Sequence, residues 1–269
     1  MEKSVTKRHQ NLWKVPQVNS GQQLECRIGT LELTIAHGVG EWMLFSRSIA
    51  EEEADAQVRF DLGEGVPEAV QERFVQVGES GRVILAPLLA DRPIVVRPRQ
   101  PVFLLSGQTT TLYLSTPIWL QILVGDPAVL LKELPVIVPS DTWFGPSTRE
   151  GELCYAGRTQ ARHDPAELPD RPHRAITPLT IHNKASTPLP LEKVSLPVPM
   201  LALYADQDGR LWTQKLTLTR HEQGDLASIQ IESSKTDGDS SLTRLAEPRI
   251  DSERSGMTRA FNLLFGDGS

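Results

Sequence analysis

The side chains best equipped for chemistry in this sequence are arginines. Arg158, Arg162, Arg171 and Arg174 fall in one irregular stretch with His163 and His173, and Arg92, Arg97 and Arg99 surround a predicted pair of strands. A guanidinium presents its N–H donors in a planar fork that matches a carboxylate or a phosphate. Arg158, Arg162 and Arg174 are therefore candidate anion-binding residues. Asp164, Glu167 and Asp170 stand among them, and local ion pairs account for the cluster equally well.

Other constellations read as structure. Gly78-Glu79-Ser80-Gly81 lacks the spacing of a nucleophile elbow and reads as a turn. No Gly-Lys-Ser/Thr follows a glycine run, so there is no phosphate loop, and Gly38-Val39-Gly40 reads as a hairpin turn between strands. Asp206-x-Asp208 has the wrong glycine position for a calcium loop and no downstream glutamate. His163, His173 and His182 are spaced too widely for a local zinc pair, and Cys26 and Cys154, the only cysteines, are expected to stay reduced. The run Glu51-Glu52-Glu53 reads as a solvated loop. No catalytic residue, cofactor site or metal site is assigned.

The elements that must position the arginines are strands. The chain has 269 residues with 28 Lys+Arg against 34 Asp+Glu, a net charge of −6 that argues against nucleic acid as the main partner. Twenty prolines and 19 glycines favour many short strands over long helices. Leu31, Leu33 and Ile35 alternate with polar neighbours, as do Val58, Phe60 and Leu62. Val83-Ile84-Leu85, Ile94-Val95-Val96 and Val102-Phe103-Leu104-Leu105 are continuous apolar runs suited to strands buried on both faces. Pro67 to Val77 fits a helix or a strand. Asp206-Gln207-Asp208-Gly209 predicts a tight hairpin turn, because Asp-Gly supports positive φ.

This spacing predicts an all-β protein of two β-sandwich-like domains, residues 1–139 and 140–232, divided near Pro139-Ser140-Asp141. A flexible connection, 233–255, would follow, poor in apolar residues. Over 256–269, Met257, Ala260, Phe261, Leu264 and Phe265 recur at helical spacing and predict a short C-terminal amphipathic helix. Met257, Phe261, Leu264 and Phe265, with Trp143 and Phe144 of the Trp143 loop, are candidate interaction residues. No apolar segment follows Lys3, Lys7 and Arg8, and no apolar run approaches the roughly 20 residues of a membrane helix. The expectation is a cytoplasmic protein without direct membrane insertion, peripheral to the membrane only through a partner.

Trp143-Phe144-Gly145-Pro146, Gly151-Glu152-Leu153-Cys154-Tyr155, Leu179-Thr180-Ile181-His182-Asn183, Leu196-Pro197 and Leu203-Tyr204 follow one another in the order of a known family's signatures. Leu114-Ser115-Thr116-Pro117-Ile118-Trp119 resembles its upstream strand motif, and Gly256-Met257 resembles its end. In these segments the chain resembles DUF432, an archaeal and bacterial family of unknown function. The resemblance implies no catalytic residues. It implies a soluble accessory subunit, with a mechanosensitive-type membrane channel as one candidate partner.

The functional expectation is a non-catalytic interaction or regulatory protein with a protein partner or a second copy of itself. The alternative is a carbohydrate-binding or carbohydrate-processing β-sandwich, for which Trp42, Trp119, Trp143 and Trp212 would supply stacking faces.

Overall fold

The computed structural model describes residues 13–251, apart from 51–56, 66, 68–69, 76–79, 99–101, 146, 148, 160, 223–225 and 233–241, together with 260–262. It is nearly all β, and no helix among the described residues reaches seven residues. The first sheet is built from β1 (Gln22–Ile28), β2 (Leu31–Gly38), β3 (Glu41–Ser48), β4 (Arg59–Glu64) and β5 (Glu72–Val75), in the order β4-β1-β2-β3-β5. In β2, Leu31, Leu33 and Ile35 are buried while Glu32 and Thr34 point outward, as a period of two requires. Glycine makes the turns: Gly29 (φ +57°) follows β1, and Gly40 (φ +71°) lies between β2 and β3. Within Pro67 to Val77, Glu72–Val75 is an edge strand.

The chain continues through β6 (Val83–Leu88), β7 (Ile94–Pro98), β8 (Val102–Leu104), β9 (Thr109–Pro117), β10 (Trp119–Val124) and β11 (Val129–Pro135). Then come β12 (Ser140–Phe144), β13 (Glu152–Thr159), β14 (Arg174–Asn183), β15 (Leu189–Leu191), β16 (Val194–Leu196), β17 (Leu203–Ala205) and β18 (Leu211–Thr213). The last are β19 (Leu216–Arg220), β20 (Leu226–Ile231), β21 (Thr243–Ala246) and β22 (Ala260–Asn262). They form a three-stranded sheet β11-β10-β6, a four-stranded sheet β12-β13-β7-β16, a two-stranded sheet β15-β8, and an eight-stranded sheet β21-β17-β18-β14-β19-β20-β22 with β9 also on β14. The predicted hairpin turn joins β17 to β18, with Gly209 at φ +81° and the Asp206 N–H donating to the Arg210 carbonyl at 3.0 Å.

Strand pairing crosses the expected division near residue 140. β9 lies antiparallel to β14 from Thr109↔His182 to Pro117↔Arg174, and β7 lies parallel to β13 from Ile94↔Tyr155 onward. One hydrophobic cluster runs from Val18 and Leu24 through Ile94 and Leu120 to Leu216 and Leu245. Both halves thus bury their apolar faces against the same core.

Three expectations are corrected. The run Val102-Phe103-Leu104-Leu105 is not buried on both faces: Leu104 is buried, whereas Phe103 and Leu105, which alternate with it on the other face, are more than half exposed. Within the expected flexible connection, Thr243–Ala246 pairs with β17 and buries Leu245 and Ala246. The C-terminal helix is not seen. Its described part, Ala260–Asn262, is a strand antiparallel to β20 with Phe261 opposite Ala227, and Met257, Leu264 and Phe265 lie outside the described residues. A segment of this length stands at the roughly 12–15 residues where an isolated helix is marginal, and the edge of β20 offers it ready backbone partners. No helix among the described residues is long and apolar enough to cross a membrane.

Candidate anion-binding cleft

A cleft of about 350 Å³ opens where the β11-β10-β6, β12-β13-β7-β16 and eight-stranded sheets meet. Its floor is Ser115 and Pro117 at the end of β9, Trp119 at the start of β10, and Ile94 of β7. β13 contributes Tyr155, Gly157 and Arg158. One wall is the segment 137–140; the other is Leu168, Pro169 and Arg171, leading to Arg174.

The chain reaches this geometry through short-range chemistry. Asp164 caps a 3-10 turn at Pro165–Glu167, its Oδ1 accepting from the Ala166 N–H at 2.8 Å. Leu168 then buries its side chain, anchoring the wall. A further turn, with the Arg174 N–H donating to the Arg171 carbonyl at 3.1 Å, carries both arginines to the cleft. Backbone bonds fix the floor: Ile118 N–H donates to the His173 carbonyl at 3.1 Å, and Val136 N–H to the Ile118 carbonyl at 3.0 Å. Burial of Trp119, 4% exposed, contributes on the order of 2–3 kcal/mol and makes the floor rigid.

Of the three expected anion-binding residues, the structure brings Arg158 and Arg174 to the cleft and adds Arg171. Arg174 is held in place by Ser115, donating through Nε to Oγ at 2.9 Å and through Nη2 to the carbonyl at 2.7 Å. Arg158 and Arg171 are exposed and form no ion pair among the described residues. Arg162 lies outside the lining; its guanidinium stands 3.7 Å from Glu167, and its carbonyl accepts from the Tyr113 N–H. Of the other two acidic residues noted in this stretch, Asp164 caps the turn and Asp170 stands 3.7 Å from Arg210. Among the described residues the lining therefore holds three arginines and no carboxylate. Low-dielectric walls focus such a field toward an incoming anion.

The cleft is also aromatic. The rings of Trp119 and Tyr155 lie 5.3 Å apart at 31°, and the Arg92 guanidinium sits 5.2 Å from the Tyr155 ring centre. The Tyr155 hydroxyl donates to Asp91 at 2.9 Å. Burial, and then Asp91, push its pKa above the ordinary tyrosine value, so it stays protonated at neutral pH with its proton held in the bond to Asp91. Ser115 and Tyr155 were not legible as site residues; the spacing of β9 and β13 along the chain gives no sign that they meet.

The remaining candidates separate by burial. Trp143 is 46% exposed, with Nε1 donating to the Ser147 carbonyl at 2.8 Å. Phe144, its neighbour on the strand, is buried with Val95 and Cys154. Trp42 and Trp119 are buried, and Trp212 is half-buried with its Nε1 donating to Asp206, so the tryptophans make no exposed stacking row. His182 meets Thr109 at 2.8 Å and His163 meets Thr110 at 3.3 Å, while His173 is buried against Gly29. Among the described residues no three metal-ligating side chains cluster. Cys26 and Cys154 are buried free thiols, their pKa values pushed up by burial to about 12 and about 11.

The fold and the cleft together define a class: an all-β protein of several sheets around one core, with an arginine-lined cleft at their junction. Residues 12–265 match the family described as protein of unknown function (DUF432), and the chain belongs to that family. Comparison with curated proteins and with solved structures gives no match.

Proposed function

We propose that this protein is a non-catalytic regulatory binding protein whose working site is the arginine-lined cleft, and that the cleft takes a small anionic molecule. The observation that carries this reading is the charge imbalance: three arginines and no carboxylate line one cleft of a chain whose net charge is −6. Arg174, set by Ser115, supplies a fixed donor group, and Arg158 and Arg171 supply charge at the mouth. Apart from these arginines, the polar side chains of the described lining are two serines, a tyrosine held protonated against Asp91 and the indole of Trp119, a set without a general base. In this reading the protein is cytoplasmic and meets a membrane complex only through a protein partner, the setting the family resemblance implies.

Calorimetric titration of the full chain with inorganic phosphate at low ionic strength tests the reading. A single site whose affinity falls as salt is added is the expected result. Absence of heat, with no rise in Tm at saturating phosphate, would overturn it.

A further inference from the structure

Beyond Tyr155 the cleft continues as an apolar surface. Leu153 lies two residues before Tyr155 on β13 and so shares its face of the strand, and it is the cross-strand partner of Trp143 on β12. Trp143 and Leu153 are both nearly half exposed, and Val138, on the wall of the cleft, is 68% exposed. Single exposed apolar residues are ordinary; an aromatic and a leucine side by side, continuous with a charged cleft, form a shelf.

We infer that the ligand is a single-chain amphiphilic anion, its head group against Arg171 and the Ser115-held Arg174 and its alkyl tail leaving the cleft over Tyr155 onto the shelf of Trp143 and Leu153. The inference rests on the cleft being the anion site, and it names the ligand's class. Charge complementarity chooses the orientation, since the cations lie at one end and the exposed apolar side chains at the other. The Arg92–Asp141 ion pair, at 3.3 Å, flanks the path, and Arg92 lies against the face of Tyr155. The occupant is a free amphiphile because Trp119, 4% exposed, and Arg174, held by Ser115, lie inside the cleft, where a lipid still packed in a bilayer does not reach.

The test is titration of the full chain with ethyl, hexyl and decyl phosphate below their aggregation thresholds, beside inorganic phosphate. A fully buried methylene strengthens binding by about fourfold, so a half-exposed shelf is expected to give at least about tenfold from ethyl to hexyl phosphate. The W143A/L153S variant, altered only at exposed positions, is expected to lose the gain from hexyl to decyl while binding ethyl phosphate as before. Equal affinity for all three esters would overturn the tail while leaving the anion site standing. No binding of any ester or of inorganic phosphate would remove the anion site itself. Co-sedimentation with anionic phospholipid vesicles, without binding of monomeric decyl phosphate, would overturn the free amphiphile in favour of a membrane surface.

Discussion

Two regions of this molecule gather three arginines each, and they do opposite things with them. On the outer face of the first sheet, Arg27, Arg47 and Arg59 line a depression of about 400 Å³ together with Glu25, Glu32 and Asp61. Glu32 binds Arg27 and, at 2.5 Å, Arg47. Burial would raise the Glu32 pKa, but the hydrogen bonds and charges of the two arginines outweigh it and hold the carboxyl below its ordinary range. Across the strands, Arg27 faces Arg59 and Glu25 faces Asp61, so each pair of like charges has the opposite pair as its neighbour. The lattice is complete within the sheet. In the cleft, Arg158 and Arg171 form no ion pair among the described residues, and Arg174 is held by Ser115. The difference teaches that arginine count is a poor guide to an anion site; the local count of carboxylates decides.

The two regions meet at the turn after β1, and the largest predicted effect lies there. Gly29, in the turn after β1, has φ +57°, and a Cβ placed on it would stand 2.5 Å from Cγ of His173. His173 is buried between Arg171 and Arg174 in sequence, so the ring fixes the cleft's arginine segment on the first sheet. G29A adds left-handed strain to a clash that the packed ring cannot relieve. It is expected to cost at least about 3 kcal/mol and to lower Tm by roughly 10 °C in thermal denaturation. An unchanged Tm would mean that the two regions are not packed as one body.

The same histidine predicts the pH response. Burial, then the charges of Arg174 and Arg171, push the His173 pKa down to about 4 from its ordinary 6.5. As pH falls below 6.5, the unfolded chain takes up a proton there while the folded protein does not, so stability falls through that window and levels off below about 4. Above pH 6.5 this group leaves stability flat. The full loss is about 3 kcal/mol, read from urea unfolding at neutral pH and near pH 4.5. H173Q, without a titratable ring, is expected to flatten the slope; an equally steep H173Q profile would assign it to other groups.

Much of this was legible in the sequence, and the limits have physical causes. Alternation at Leu31, Leu33 and Ile35 and the Asp-Gly turn before Arg210 are local signals, and the strands and hairpin formed where they indicate. The arginine cluster was visible as residue types, but the separation of Arg162 from Arg158 and Arg174 was not. It depends on a capped 3-10 turn that pairs Arg162 with Glu167. Trp119 and Ser115 join the site through β9 and β10, far from the arginines in sequence, and no spacing encodes that meeting. Helical spacing at the C-terminus failed at Ala260–Asn262 for a related reason. An open sheet edge competes with a short helix, and the edge is supplied by β20, remote in the chain.

Binding separates the two arginine regions directly. Charge-assisted hydrogen bonds contribute about 1.5–3 kcal/mol each, so R158A/R171A is expected to weaken phosphate by at least about a hundredfold. Both side chains are exposed, and the fold is expected to survive, with Tm within about 2 °C of the parent. R27A/R59A, which disturbs only the compensated lattice, is expected to leave phosphate affinity unchanged. Equal losses in the two variants would show that phosphate answers to net charge and not to the cleft.

The smallest effect is the most discriminating, because it converts one region toward the other. E32Q keeps the shape of the side chain and removes the carboxylate that Arg27 and Arg47 share. Both arginines are partly solvent-exposed, so the stability lost is only about 1 kcal/mol. What changes is the local balance: three arginines would then face Glu25 and Asp61 alone. If uncompensated charge is what makes the cleft a site, E32Q acquires a second, weak phosphate site on the first sheet that disappears in moderate salt. A titration of E32Q that still fits one site, at the parent's affinity, would show that charge balance is insufficient. The enclosing walls of the cleft and the Ser115-fixed guanidinium of Arg174 would then be the features that separate a binding site from a charged surface.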